Sequence, residues 1–480
     1  MAVNWHKRIL PLFLAPLLLC APAGCGSEEA PVIAEARWRA GFGSCVIELP
    51  DGDGLLYIAG YHNGWEITEI RDLCRASAVW LDAGGPGVLL LSVDCVGLGS
   101  DTVGRIREAI APLCADEQVA AVHVAATHDH AGPDTLGLWG PVGIDGKNPG
   151  YMDNLISACA SAAEAALADR RTGMLLRADV KTEDMLRDSR EPVCWDDVMH
   201  MLRFRPDDGS AGIRLVDYGA HAESLRGANT RLSRDYPGVL CDLIAERSGD
   251  RALFLPGPVG GLIMTREFFD PFDAEENLLY TGERLAEYAL SPAEEDWRAL
   301  EPILADEGIS FSVPLDNTVF LYYRFLGILG NEAVRPAFPD ADREAGETGY
   351  ALKTSLSVLR LGDTALLLLP CEIFPELVAG GGRENPSNPG AENPEPLSSL
   401  MERYGLGDFF VVGLADDELG YVVPPDDFLT DPDAPYLNAT KPADGSRHYE
   451  ETNSVGIRCA ENIAASLEKL LKNAANAKKN

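Results

Sequence analysis

Three short segments of this chain carry residues able to do chemistry, and each stands directly after an apolar, strand-like run. Thr127-His128-Asp129-His130-Ala131-Gly132-Pro133 follows the run 119–126. His-x-His at such a turn brings two imidazoles toward one point, as a metal ion or an acid/base pair requires. His221 follows the run 213–217, and Glu372, within Leu369-Pro370-Cys371-Glu372-Ile373-Phe374-Pro375, follows the run 365–369. Strand ends are where open α/β sheets gather catalytic groups. Each segment has a plainer reading as well. A lone His after a strand serves as a satisfied structural residue, and a Glu there complements a helix N-terminus. Tyr421, in Glu418-Leu419-Gly420-Tyr421-Val422, reads by itself as a packing tyrosine.

The elements that must position these residues alternate along most of the chain. Runs 87–93 and 119–125 read as buried strands, with an amphipathic helix at 102–114 between them. The Ala-rich stretch 151–169 is helical, 213–217, 252–255 and 365–369 are further strands, and a last helix spans 454–472. This pattern predicts an α/β fold, a layered mixed sheet with flanking helices. Residues 380–396, rich in Gly, Asn and Pro, predict a long surface loop that could border the site after Glu372.

The chain has 480 residues, with 40 basic against 75 acidic side chains for a net charge of −35. Such a field repels phosphate backbones, so nucleic acid is excluded as a partner. Lys7 and Arg8 precede an apolar run at 9–21, and Ala23-Gly24-Cys25 then opens onto polar residues. Residues 1–25 therefore read as an export signal, with Cys25 as the lipidated residue of a bacterial lipoprotein. The expected location is membrane-anchored through Cys25 alone, or else periplasmic or secreted. Nine cysteines beyond the signal are scattered singly, with no Cys-x-x-Cys, which leaves room for one or two disulfides but suggests no thiolate metal site.

Taken together, the chemical segments resemble the neutral, or alkaline non-lysosomal, ceramidases. Thr127 to Pro133 match a Thr-His-Thr-His-Ser-Gly-Pro turn, with Asp129 and Ala131 substituted. His221, Ser224, Asn229, Ser233 and Asp235 match the stretch opened by that family's second zinc histidine. Pro370-Cys371-Glu372 matches its zinc glutamate, Tyr421-Val422 its zinc tyrosine, and Tyr449-Glu450 a Tyr-Glu pair downstream. The metallo-β-lactamase motif also opens His-x-His, but it continues with Asp and His where Gly132 and Pro133 stand. The resemblance implies a ceramidase-like catalytic domain over 36–475, followed by a flexible tail at 476–480. It also implies one zinc ion per chain held by His128, His221, Glu372 and Tyr421. His130 would be the acid/base residue, Arg190 would stabilise an oxyanion, and Tyr449 would hydrogen-bond the substrate.

One departure bears on mechanism. Gly260, in Leu255-Pro256-Gly257-Pro258-Val259-Gly260, stands where the family's proposed serine nucleophile would be. Glycine there also raises the expectation of a positive φ that a serine would resist. The implied activity is hydrolysis of an amide or ester bond in a small-molecule or lipid-like substrate, with zinc-bound water replacing the serine. The alternative is a non-catalytic zinc-containing surface lipoprotein that binds a lipid-like or small ligand.

Overall fold

Alternate residues of one strand, Arg75–Asp82, serve two different cores. Ala76, Ala78 and Trp80 pack with helices on one face, while Val79 and Leu81 pack against a second sheet on the other. A period-2 side-chain pattern makes this possible only when both faces are covered, and here both are. The computed structural model describes residues 37–477 except 53, 116–118, 183, 191–192, 262, 270–272, 337–345, 442–444 and 446. The signal region, Cys25 and residues 478–480 lie outside the described residues.

The larger sheet is built from β1 (Trp38–Val46), β2 (Arg75–Asp82), β3 (Gly87–Val93), β4 (Val119–Ala126), β5 (Arg171–Lys181), β6 (Val198–Pro206), β7 (Ile213–Tyr218) and β8 (Arg251–Pro256). Their spatial order is β8-β7-β6-β5-β1-β2-β3-β4, with a short strand Arg298–Ala299 added beside β5. The outermost pairs, β7 with β8 and β3 with β4, are parallel, and the pairs between them are antiparallel. Helices α1 (Ser100–Cys114) and α2 (Pro149–Ala168) cover one part of its outer face. Helices α3 (Asp235–Ser248) and α4 (Ala274–Leu290) cover another. Helix α2 starts where Pro149 supplies a fixed φ and the Asn148 side chain accepts from Tyr151 N at 3.1 Å.

The second sheet runs β9 (Leu304–Leu315), β10 (Tyr350–Leu361), β11 (Thr364–Leu368) and β12 (Phe409–Val412) in that spatial order. Leu359, Leu361, Leu366, Leu368, Phe410 and Val412 pack it against the larger sheet. The C-terminal helix α5 (Cys459–Ala477) covers its far face through Ile463, Leu467 and Leu470. The layers are thus helix, sheet, sheet, helix, an α/β architecture of the expected class. The last helix begins later than 454, because that stretch is used as an anchor. Ser454 bridges Gly420, and Val455 O accepts from Asp316 N at 2.9 Å. The helix also reaches Ala477, so residues 476 and 477 are helical rather than tail. Residues 381–396 form a loop between two short helices, Pro375–Ala379 and Leu397–Arg403. Cys74, Cys95, Cys159, Cys371 and Cys459 are buried free thiols. None of the described helices is long and apolar enough to cross a membrane.

Candidate metal centre

Strands β4 and β7 lie far apart in the order of the larger sheet, yet the residues that follow them meet. The sheet curls, and Ser92 Oγ on β3 donates to Phe254 O on β8 at 2.5 Å. Beyond the strand ends the segments are stitched backbone to backbone. His130 N donates to Ala222 O at 2.9 Å, and His221 N to Ile263 O at 2.9 Å. Ala126 N donates to Leu414 O at 3.1 Å, which ties in the segment leading to Tyr421. Glu372 and Tyr421 are direct register partners in a two-stranded parallel ladder. His128 has φ +61°, uncommon for a residue with a Cβ, and the next turn is held by Ala131 N donating to Asp129 Oδ1 at 2.9 Å. Strain of this sort, on the order of 1–3 kcal/mol, collects at functional sites.

The side chains of His128, His221 and Glu372 converge on one point. The Nδ1 atoms of His128 and His221 donate to Val96 O and Ile263 O, each at 2.7 Å. Each Nε2 therefore presents a lone pair, and both lie 3.1 Å from the same oxygen, Glu372 Oε2. Tyr421 Oη is 3.1 Å from His221 Nε2. His128, His221 and Glu372 are all buried, so water does not relieve the clustering of acceptors. Such a set calls for a cation among its lone pairs, and N/O donors of this kind suit zinc. The residues present therefore fit the metal that the sequence implied. Burial opposes the charge on Glu372, but His128 and His221 outweigh it and hold the carboxyl far below its usual range, so the carboxyl is an anion. Burial would lower the pKa of His221, and Glu372 reverses that.

His130 belongs to the same cluster. Its Nε2 is 3.3 Å from His128 Nε2, and His128, His130 and His221 form a group able to hold a metal ion. Burial, with His128 and His221 beside it, drives its pKa well below the ordinary value, so the ring is neutral. Two residues absent from the sequence reading back it. Glu223 Oε2 lies 3.7 Å from His130 Nδ1 and accepts the hydroxyl proton of Tyr61, whose ring meets His130 edge-on at 5.6 Å. Glu223 stands two positions after His221, a spacing that could have drawn attention; nothing in the sequence singles out Tyr61.

Tyr449 lies beside Tyr421, ring centroids 6.5 Å apart, and lines the same pocket as His128, His130 and Glu372. Burial and the Glu372 charge push its phenol up to about 12. Arg190 has a different neighbourhood from the one implied. Its guanidinium donates to Asp427 Oδ2 at 2.9 Å, Glu450 Oε2 at 3.0 Å and Glu451 Oε1 at 2.9 Å, and it sits 5.2 Å over the Phe374 ring. With those donors spent, Arg190 ties the segments carrying Tyr449 and Glu372 together rather than facing a substrate. The loop after Glu372 joins that knot, since Arg383 Nη1 donates to Asp427 Oδ1 at 2.9 Å.

Gly260 is explained by space. Its φ is not in the left-handed region; Gly261, at φ +83°, is the one there. A Cβ on Gly260 would lie 2.5 Å from both Ile373 C and Phe374 N, and Gly260 N donates to Ile373 O at 2.9 Å. The backbone beside Glu372 therefore occupies the volume where a serine side chain would begin.

No family profile and no curated protein sequence matches the chain. Among solved structures it is similar to the neutral ceramidase from Pseudomonas aeruginosa, with a TM-score of 0.68 and 16% identity over 92% of this chain and 75% of that one. A ceramidase described as complexed with C2 gives a TM-score of 0.68 and 14% identity over 92% and 76%. The chain has a ceramidase-like fold.

Proposed function

We propose that this protein is a zinc-dependent hydrolase of an amide or ester bond. The observation that carries the reading is the convergence of His128 Nε2 and His221 Nε2 on Glu372 Oε2, each 3.1 Å from it, in a buried site. The fold shared with ceramidases supports it. A bound zinc supplies Lewis acidity and makes an adjacent water more acidic. Around it, neutral His130 is placed to take a proton at Nε2, while Glu223 lies on its Nδ1 side and orients the ring. Tyr449 keeps its proton and donates a hydrogen bond to negative charge developing on a substrate oxygen, the part first assigned to Arg190. No serine is needed at position 260, and none has room there. Substrate reaches the site through a pocket whose walls are mostly apolar.

The test joins metal content to turnover. The purified protein should carry one equivalent of zinc and hydrolyse simple N-acyl amides or esters. Chelation should stop the reaction, and zinc should restore it. Chelator-insensitive turnover, or a serine-bound acyl adduct, would remove the reading. A protein that holds zinc and hydrolyses nothing would be a ligand-binding one.

A further inference from the structure

One wall residue of the pocket does not match its surroundings. Leu136, Leu138, Trp139, Phe320, Leu329 and Leu352 line it with hydrocarbon, and among them stands the carboxyl of Glu418. Glu418 is only 9% exposed. Its Oε1 accepts from Gly420 N at 2.7 Å, but its Oε2 has no hydrogen-bond partner among the described residues. The neighbouring Asp417 also keeps one oxygen, Oδ2, without a partner among the described residues, but it does not line the pocket, and its Oδ1 accepts from Ser100 N at 2.7 Å and from the Asn331 side chain at 2.7 Å. A buried polar atom without a partner destabilises the fold, so its place in a pocket wall points to a partner that arrives with the ligand.

We infer that Glu418 is a specificity residue that takes the hydroxyl group of a substrate whose remaining length is apolar. The inference rests on the pocket being the substrate site of the proposed hydrolase. A hydroxyl is favoured because it both donates and accepts, and so satisfies a carboxyl oxygen in either protonation state. The hydrocarbon walls then take the rest of the chain.

Binding can be measured apart from turnover with three eight-carbon probes: octan-1-ol, 1-fluorooctane and octylammonium. Calorimetry on the purified protein, with and without chelator, should show octan-1-ol binding about tenfold more tightly than 1-fluorooctane, the worth of one hydrogen bond. Glu418→Gln, which still donates and accepts, should keep that preference. Glu418→Leu should erase it, with some loss of melting temperature because Gly420 N loses its acceptor. Equal binding of the alcohol and the fluoride by the unmodified protein would overturn the inference. So would a preference that survives Glu418→Leu, or octylammonium binding tightest and failing in Glu418→Gln. Amide turnover is scored separately. A preference without turnover removes the hydrolase and keeps the binding role of Glu418, whereas turnover without a preference does the reverse.

Discussion

The three imidazoles at His128, His130 and His221 do not have equal claims on a metal. His128 and His221 have their Nδ1 protons committed to backbone carbonyls, which fixes the tautomer and aims Nε2 at Glu372. His130 Nδ1 has no hydrogen-bond partner among the described residues, and Glu223 Oε2 lies 3.7 Å from it. Replacing His128 or His221 with Ala should therefore abolish stoichiometric zinc binding, read by elemental analysis of the purified domain. His130→Ala should keep the zinc while cutting turnover roughly 10²–10⁴-fold. If it loses the metal as well, His130 is a third ligand and the acid/base part passes elsewhere. Gly260→Ser tests the neighbouring contact. Forcing a Cβ against the Ile373–Phe374 peptide should cost about 1–3 kcal/mol, seen as a lower melting temperature, and weaken zinc binding as Glu372 shifts.

At the scale of elements, the active segments hang from strand ends and are held by buried charge. Arg190 gathers Asp427, Glu450 and Glu451, all buried, and Glu450 Oε2 in turn accepts from Tyr449 N at 3.0 Å. Removing the cation takes the nearest counter-charge from Glu450 and leaves Asp427 with Arg383 and Glu451 with His448 alone. Arg190→Met should thus destabilise the fold by about 3–5 kcal/mol, measured by denaturant titration. A stable variant with lost turnover would return Arg190 to the oxyanion role. A second brace joins β4 to the segment after β12 and to β9: His123 lies 2.7 Å from Asp416 and 2.9 Å from Asp306. Burial alone would lower the His123 pKa, but Asp416 and Asp306 outweigh it and raise it to about 9. The folded value lies above the unfolded value of about 6.5, so the stabilisation is complete below that pH and is lost as pH rises through 9. The stability gap between the unmodified protein and His123→Gln should accordingly be largest near pH 6 and close by pH 10. A gap constant across that range would show that the pair does not titrate as argued.

For the whole molecule, the charge of −35 and the proposed export signal bear on the setting in which the site works. The proposed membrane attachment rests on Cys25, which lies outside the described residues, and none of the described helices is long and apolar enough to span a bilayer. Cys25→Ser should move the protein from the membrane fraction to the soluble fraction, because acyl chains contribute about 0.8 kcal/mol per buried CH₂. An unmodified protein already found in the soluble fraction would replace the lipoprotein proposal with a cleaved secretory signal.

Much of the fold was legible in local pattern. The runs at 87–93, 119–125, 213–217, 252–255 and 365–369 recur as strands within a residue or two, because continuous apolar stretches of that length are stable only when covered on both faces. The residues that cluster at the candidate site were legible in part, since His128, His130, His221 and Glu372 each stand within a few residues of the end of such a run. Other features depended on tertiary contact. The antiparallel strands Leu304–Leu315 and Tyr350–Leu361 mix polar and apolar residues and show themselves only by pairing. The parts of Arg190 and Glu223 turn on which partners the chain brings within 3–4 Å of them, from segments up to 261 residues away. Gly260 reads in sequence as a missing nucleophile and in space as the close approach of the Ile373 backbone. Sequence determined which chemical groups this protein has and which elements carry them. Only the curl of the large sheet, and the stitching beyond its strand ends, decided which of those groups share a site, because side-chain chemistry depends on distance and the distances are set by segments remote along the chain.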